Sequence, residues 1–222
     1  MAGLGIDIKE VYTELASEFT IVNRSPVVTG ERILFEVNAQ ATKPFIREHQ
    51  LDCTIPYDSL IETGDVVLMN KTDRYYMVMN KTPETFEDET VEWDVVLYYC
   101  NLPTTAHIVR PVEIRNTVTY NMTSGWQVTA DAPLYGLLTD RITGSEIEQQ
   151  NVAAGQFQLW SISLLLPKYY DIKPLDRLII SATEYYKIET IESYYYPGVY
   201  QIKLVEDTRK ATVIIDGEVY NG

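Results

Sequence analysis

The sequence predicts a mainly β protein built from two tandem small β-barrels or sandwiches, with one short N-terminal helix. Three observations predict it. Apolar residues recur at period two, as at Leu51, Cys53 and Ile55, which alternate with Asp52 and Thr54. Runs rich in Val, Ile, Tyr and Thr between turn residues give about twelve to fourteen short strands, which favours barrels or sandwiches over any α/β layout. The same pattern also occurs twice. Ile-Pro-Tyr-Asp-Ser-Leu-Ile-Glu-Thr-Gly-Asp-Val-Val-Leu from Ile55 matches Leu-Pro-Lys-Tyr-Tyr-Asp-Ile-Lys-Pro-Leu-Asp-Arg-Leu-Ile from Leu166. Pro56 and Asp65 correspond to Pro167 and Asp176 at a separation of 111, and Tyr75-Tyr76 to Tyr185-Tyr186 at 110.

The first element is helical. Asp7 followed by Glu10 has capping-box character, and Ile8, Val11, Tyr12 and Leu15 recur at helical spacing through about Ser17. So short a one-sided helix must pack on something. It either plugs one end of a barrel or docks on a neighbouring subunit. Strands follow over 19–22, 33–37 and 45–55, then a hairpin of 66–69 and 75–79 across the turn 70–74. The acidic stretch 84–92 reads as a solvated loop, and the strand 93–99 closes the first unit.

Asn101-Leu-Pro-Thr-Thr-Ala106 breaks the strand pattern, so the expected domains are 1–104 and 105–222. The second unit opens with strands over 112–122 and 126–128, followed by a polar insertion at 144–155. In 157–166, Ile162, Leu164 and Leu166 repeat the alternation of Leu51, Cys53 and Ile55. Strands over 178–180, 185–190 and 200–204 complete the copy, with Tyr200 in the place of Trp93. A hairpin of 212–215 and 218–220 turns at Asp216-Gly217.

Composition narrows the function. With 32 Asp and Glu against 18 Lys and Arg, the net charge of −14 argues against a general nucleic-acid-binding surface. Acidity keeps a Tyr-rich chain soluble, or forms a wall that repels DNA and lets it slide past. No apolar run approaches the roughly 20 residues of a membrane span. The N-terminus also lacks signal-peptide character, so a cytoplasmic protein is expected. Cys53 and Cys100 are too few for a disulfide scaffold or a zinc site, and Cys53 takes the parity of a buried strand residue.

No catalytic constellation emerges. His49 and His107 have no glycine-flanked serine or reactive cysteine to complete a triad, and each reads as a surface or satisfied polar residue. Neither a metal-ligand spacing nor a phosphate-binding glycine loop is present. The expectation is therefore a non-enzyme without metal or cofactor. Among 17 tyrosines, the run Tyr194-Tyr195-Tyr196 before Pro197-Gly198 stands out. β-propensity beside a turn, a subunit interface and a sugar-stacking platform each account for it.

The two segments that run from proline through Gly-Asp or Leu-Asp to a Tyr-Tyr strand resemble the small β-barrel neck proteins of tailed bacteriophages. These are the head-completion or head-closure (stopper) proteins that join the capsid portal to the tail. The resemblance covers two barrel cores, in 55–99 and 166–204. It departs from that family in its duplication, its helix and its length, since the usual form is a single barrel. It implies a virion structural protein, assembled in the bacterial cytoplasm and forming a homo-oligomeric, six-fold ring around the DNA channel. Its partners would be portal, adaptor and tail proteins, with DNA passing nearby without sequence-specific binding and no membrane. Tyr12, Leu15, Tyr194, Tyr195 and Tyr196 are the interface candidates. The alternatives are a phage tail or baseplate structural protein and a tandem carbohydrate-binding module.

Overall fold

A computed structural model of the chain describes residues 4–35, 50–115, 120, 122–139, 162–181, 183–207, 213–215 and 218–220. The first unit consists of helix α1 (Leu4–Leu15) and strands β1 (Ser17–Ile21), β2 (Val28–Phe35), β3 (Gln50–Pro56), β4 (Val66–Met69), β5 (Arg74–Phe86) and β6 (Glu89–Tyr99). The strands close into a barrel in the order β1-β2-β3-β6-β5-β4. Phe19, Ile21, Ile33, Cys53, Ile55, Val78, Val95 and Leu97 fill it, as period-two alternation requires of one-sided strands. Helix α1 begins at Leu4, so Asp7 lies in its first turn rather than capping it. It lies across β2, β3 and β6, and Arg32 donates to the carbonyls of Tyr12 and Thr13 at its C-terminal end.

The second unit comprises β7 (His107–Arg115), β8 (Met122–Ala130), β9 (Leu137–Thr139), β10 (Ile162–Pro167), β11 (Arg177–Ile179), β12 (Tyr185–Tyr196), β13 (Val199–Glu206), β14 (Val213–Ile215) and β15 (Glu218–Tyr220). They form one sheet in the order β15-β14-β8-β7-β11-β12-β13-β10-β9. The mainly β, two-unit architecture, with one short helix among the described residues, is as the sequence predicts.

The two units share one topology. The run β2-β1-β4-β5-β6-β3 of the barrel reappears as β8-β7-β11-β12-β13-β10. Residues matched by sequence occupy matched registers. Ile55 faces Trp93 and Leu166 faces Tyr200, while Val66 faces Met77 and Arg177 faces Lys187. Closure distinguishes them. β2 pairs with β3 through Leu34–Thr54 and Phe35–Cys53, whereas β9 pairs with β10 and β14 with β8 in the second sheet.

Each copy ties the turn before its β4-like strand with the same latch. Arg24 donates to both carboxylate oxygens of Asp65 (3.0 and 2.6 Å), and the Glu62 amide donates to Asp65 Oδ2 at 2.7 Å. Arg110 likewise donates to both oxygens of Asp176 (3.0 and 2.9 Å), with the Lys173 amide at 2.8 Å. The backbone repeats this too, since the Val78 amide donates to Asp65 O and the Ile188 amide to Asp176 O. Buried carboxylates survive only when paired and hydrogen-bonded, which is what a bidentate guanidinium and a turn amide supply. The residue before each aspartate has positive φ: Gly64 at 89° and Leu175 at 79°.

Several expectations change. The acidic stretch 84–92 is not a loop. It is the outer half of a long β5–β6 hairpin that turns at Glu87-Asp88, both with positive φ (49° and 65°), as two-residue hairpin turns require. Alternation is weak there because Val91 is the one buried residue of the stretch and 84–89 are all exposed. β7 starts at His107 rather than near 112, and β12 continues to Tyr196. His49, the insertion 144–155, the turn 216–217 and the starts of the strands expected at 45–55 and 157–166 lie outside the described residues.

Cys53 faces the barrel interior at 2% exposure, with its Sγ donating to Val95 O at 3.2 Å. Its native-state alkylation is expected to be at least tenfold slower than in urea. Equal rates would place that face of β3 outside the core.

Candidate interaction surfaces

The junction between the units is an apolar seam. Met77 and Met79 of β5 point outward from the barrel, because Tyr76 and Val78 take the inward parity, and they meet Leu137, Leu165 and Val199 of the second unit. Tyr196 and Tyr98 pack against the same seam. The Pro197-Gly198 turn sits directly on Thr63-Gly64. A Cβ added at Gly198 would lie 1.9 Å from Thr63 O, and one at Gly64 would lie 2.3 Å from Gly198 O. Only glycine permits so close a backbone approach. The turn is held from its own side by Lys168, whose Nζ donates to the carbonyls of Ser193 (2.6 Å), Tyr196 (2.8 Å) and Pro197 (2.8 Å). Half-buried Cys100 lies at this seam, and burial pushes its thiol up to about 12.

The five residues expected at interfaces separate. Tyr12 is only 1% exposed and belongs to its own barrel. Its hydroxyl donates to Glu92 at 2.8 Å, and burial raises its phenol well above the ordinary range. It is therefore closed to a neighbouring subunit, since the helix must bury its bulkiest apolar residue on the adjacent sheet. Tyr196 is half-buried at the internal seam. Leu15 is 70% exposed, and Val11 beside it is also exposed. The apolar stripe of α1 is thus wider than the strands beneath it cover.

Tyr194 (73% exposed) and Tyr195 (58%) lie in an irregularity of β12 where the register to β13 shifts between Glu192 and Tyr196. Their ring centroids are 4.3 Å apart, tilted by 36°. The hydrogen bond between them pushes the Tyr194 phenol up to about 12.

Two further features escaped sequence reading. The β5–β6 hairpin projects Phe86, Glu87, Asp88 and Glu89, all exposed, at its tip. Just behind the tip Glu84 faces Glu92 across the strands, and sharing a hydrogen bond with that carboxylate raises Glu84 above its usual range. In the second unit a cleft of about 440 Å³ is lined by Pro111, Trp126, Leu175, Lys187, Arg177 and Asp207. Arg177 is buried, lies 4.1 Å from the Trp126 ring centroid and pairs with Asp207 at 2.6 Å. Position 177 takes the parity opposite to core-facing Leu178, and nothing local says that an arginine there is buried between Trp126 and Asp207.

Among the described residues, no group of three or more His, Cys, Asp or Glu side chains could hold a metal ion, and no helix is long and apolar enough to cross a membrane. His107 contacts the Thr105 carbonyl at 3.0 Å. No protein-family model, curated protein or solved structure matches the chain.

Proposed function

We propose that this chain is a structural assembly protein of a tailed-phage particle, acting in the head–tail connector as a ring-forming adaptor around the DNA channel. The observation that carries this reading is the duplication. One small β unit occurs twice with the same strand order and the same Arg–Asp latch. The most conspicuous polar machinery of both copies serves to hold turns in place. Repetition of a scaffold suits a subunit whose function is to present surfaces.

Exposed apolar residues on α1 and in the β12 irregularity supply such surfaces. The acidic balance of the chain suits a channel through which DNA slides without adhering. The role is structural rather than catalytic, in the neck between portal and tail, with tail or baseplate as the neighbouring alternative.

Particles released by cells that express the gene test this reading. The protein should co-purify with intact tailed particles and map to the neck by immunogold labelling. Confinement to the soluble fraction would overturn it. The double variant Tyr194→Ser/Tyr195→Ser is expected to keep its melting temperature within about 2 °C, because surface substitutions typically change stability by under about 0.5 kcal/mol. It should lower incorporation into particles at least tenfold, leaving filled heads without tails. Tyr196 is excluded from this variant because it packs at the internal seam.

The exposed Tyr194–Tyr195 pair also favours a second reading, a carbohydrate-binding module. Binding on a glycan array that disappears in the double variant would select it.

A further inference from the structure

We propose that copies of this chain associate front to back, the α1 face and β5–β6 hairpin of one seating on the β11–β12 face of the next, as the second unit seats on the first within one chain. The proposal rests on the assembly reading above and names its interface.

The internal seam defines both sides of the contact. The receiving side is the outer face of the first unit, with Met77 on β5, Cys100 after β6 and the turn Thr63-Gly64. Register assigns their counterparts in the second unit. Met77 pairs with Val66 as Lys187 pairs with Arg177. Cys100 follows Tyr99, which faces Tyr76, as Asp207 follows Glu206, which faces Tyr186. Gly64 corresponds to Leu175. Lys187, Asp207 and Leu175 all line the cleft. The open cleft therefore occupies, on the second unit, the place that the neighbouring unit covers on the first.

The donating side is the outer face of β10 and β13, where Val199 and the Pro197-Gly198 turn meet the seam. Val199 faces Pro167 as Glu92 faces Pro56, so the counterpart in the first unit is the Glu92 region, covered by α1 through Tyr12. The counterpart of the Pro197-Gly198 turn is the hairpin turn Glu87-Asp88. This hairpin is longer by five residues, Thr85 and Phe86 on β5 and Glu89–Val91 on β6, roughly 7–10 Å of strand. That length carries Phe86 past the Leu175 turn toward the cleft wall of Trp126 and Pro111.

Chemistry and strain agree with this occupant. The donating side is acidic, with Asp7, Glu10 and Glu14 exposed on α1 and Glu87, Asp88 and Glu89 at the hairpin. The cleft holds two cations, Lys187 and Arg177, against one carboxylate, Asp207, in a chain of net charge −14. Leu175 is 56% exposed and keeps a left-handed φ of 79°, a conformation that costs a non-glycine residue on the order of 1–3 kcal/mol. Glycine in the first copy avoids that cost, so the leucine retained at the rim has a contact to make. The front and back surfaces differ, so the contact is heterologous and generates a ring where the rotation closes.

Sedimentation of the full chain with two complementary variants tests this. Leu175→Gly/Lys187→Glu disables the back face, and Glu14→Ser/Leu15→Ser disables the front. Each variant alone is expected to associate at least tenfold more weakly than wild type, with Leu175→Gly raising the melting temperature. An equimolar mixture should form dimers and nothing larger, because only one intact front and one intact back remain. Variants that assemble like wild type, or a mixture that yields no dimer, would overturn this interface while leaving the assembly reading in place. A wild-type chain that stays monomeric at millimolar concentration would remove both.

Discussion

Asp176→Ala is expected to destabilise the second unit by roughly 3 kcal/mol or more, within the range for removing one partner of a buried ion pair. Asp176 is 1% exposed and accepts from Arg110 Nε, Arg110 Nη2 and the Lys173 amide. Its loss orphans that amide and leaves a half-buried guanidinium with the exposed Asp171 as its remaining carboxylate partner. A guanidinium keeps its charge even without a partner, so Arg110 cannot relieve the loss by deprotonating. Asp65→Ala in the first unit should cost less. Asp65 is 6% exposed, and Arg24 is more open to water and keeps Glu62 at 3.5 Å. Urea denaturation of both variants measures the difference. A loss under about 1 kcal/mol for Asp176→Ala would mean that the latch is incidental to stability.

Gly198→Ala is expected to part the two units while sparing the barrel. The new Cβ would lie 1.9 Å from Thr63 O and 2.5 Å from Gly64 N, both backbone atoms of a turn held by Asp65. No side-chain rotation relieves that overlap, so the Pro197-Gly198 turn must lift and Val199, Leu165, Met77 and Met79 gain water. Overpacking typically costs about 1–3 kcal/mol, and exposing the seam places this variant at the upper end. The two cysteines report the outcome separately. Cys100 at the seam should alkylate at least tenfold faster than in wild type, while Cys53 inside the barrel stays protected. Unchanged Cys100 reactivity would show that the seam absorbs a methyl group.

Three elements show where sequence reasoning reaches and where it stops. The β5–β6 hairpin was half legible. Buried alternation marks Tyr76 and Val78, but beyond Asn80 the strand has little interior to face, so its pattern falls silent although its backbone pairing continues to Phe86. Asp65 and Asp176 were found as a repeated pair, whereas their partners Arg24 and Arg110 were not. The segments joining them to the aspartates differ in length between the copies, and a fixed offset aligns only what is separated equally. Tyr12 and Leu15 are three residues apart on one helical stripe. The periodicity treats them alike, yet one is buried and the other exposed, because the helix outreaches the strands it covers.

By itself the sequence determined the mainly β class, the duplication, the short N-terminal helix and the inward parity of Cys53, Ile55, Leu164 and Leu166. Each of these is a local property, written in side-chain period, turn chemistry or self-similarity. Only the tertiary structure decided that one copy closes into a barrel while the other extends into a nine-stranded sheet. It also decided that Gly198 seats on Gly64, and that Arg177, Trp126 and Asp207 converge on one cleft. Those outcomes depend on which strand edges meet and which residues distant in the chain come within a few ångströms. No period along the chain encodes that, because pairing energy is gained only after the ends of long loops have been brought together.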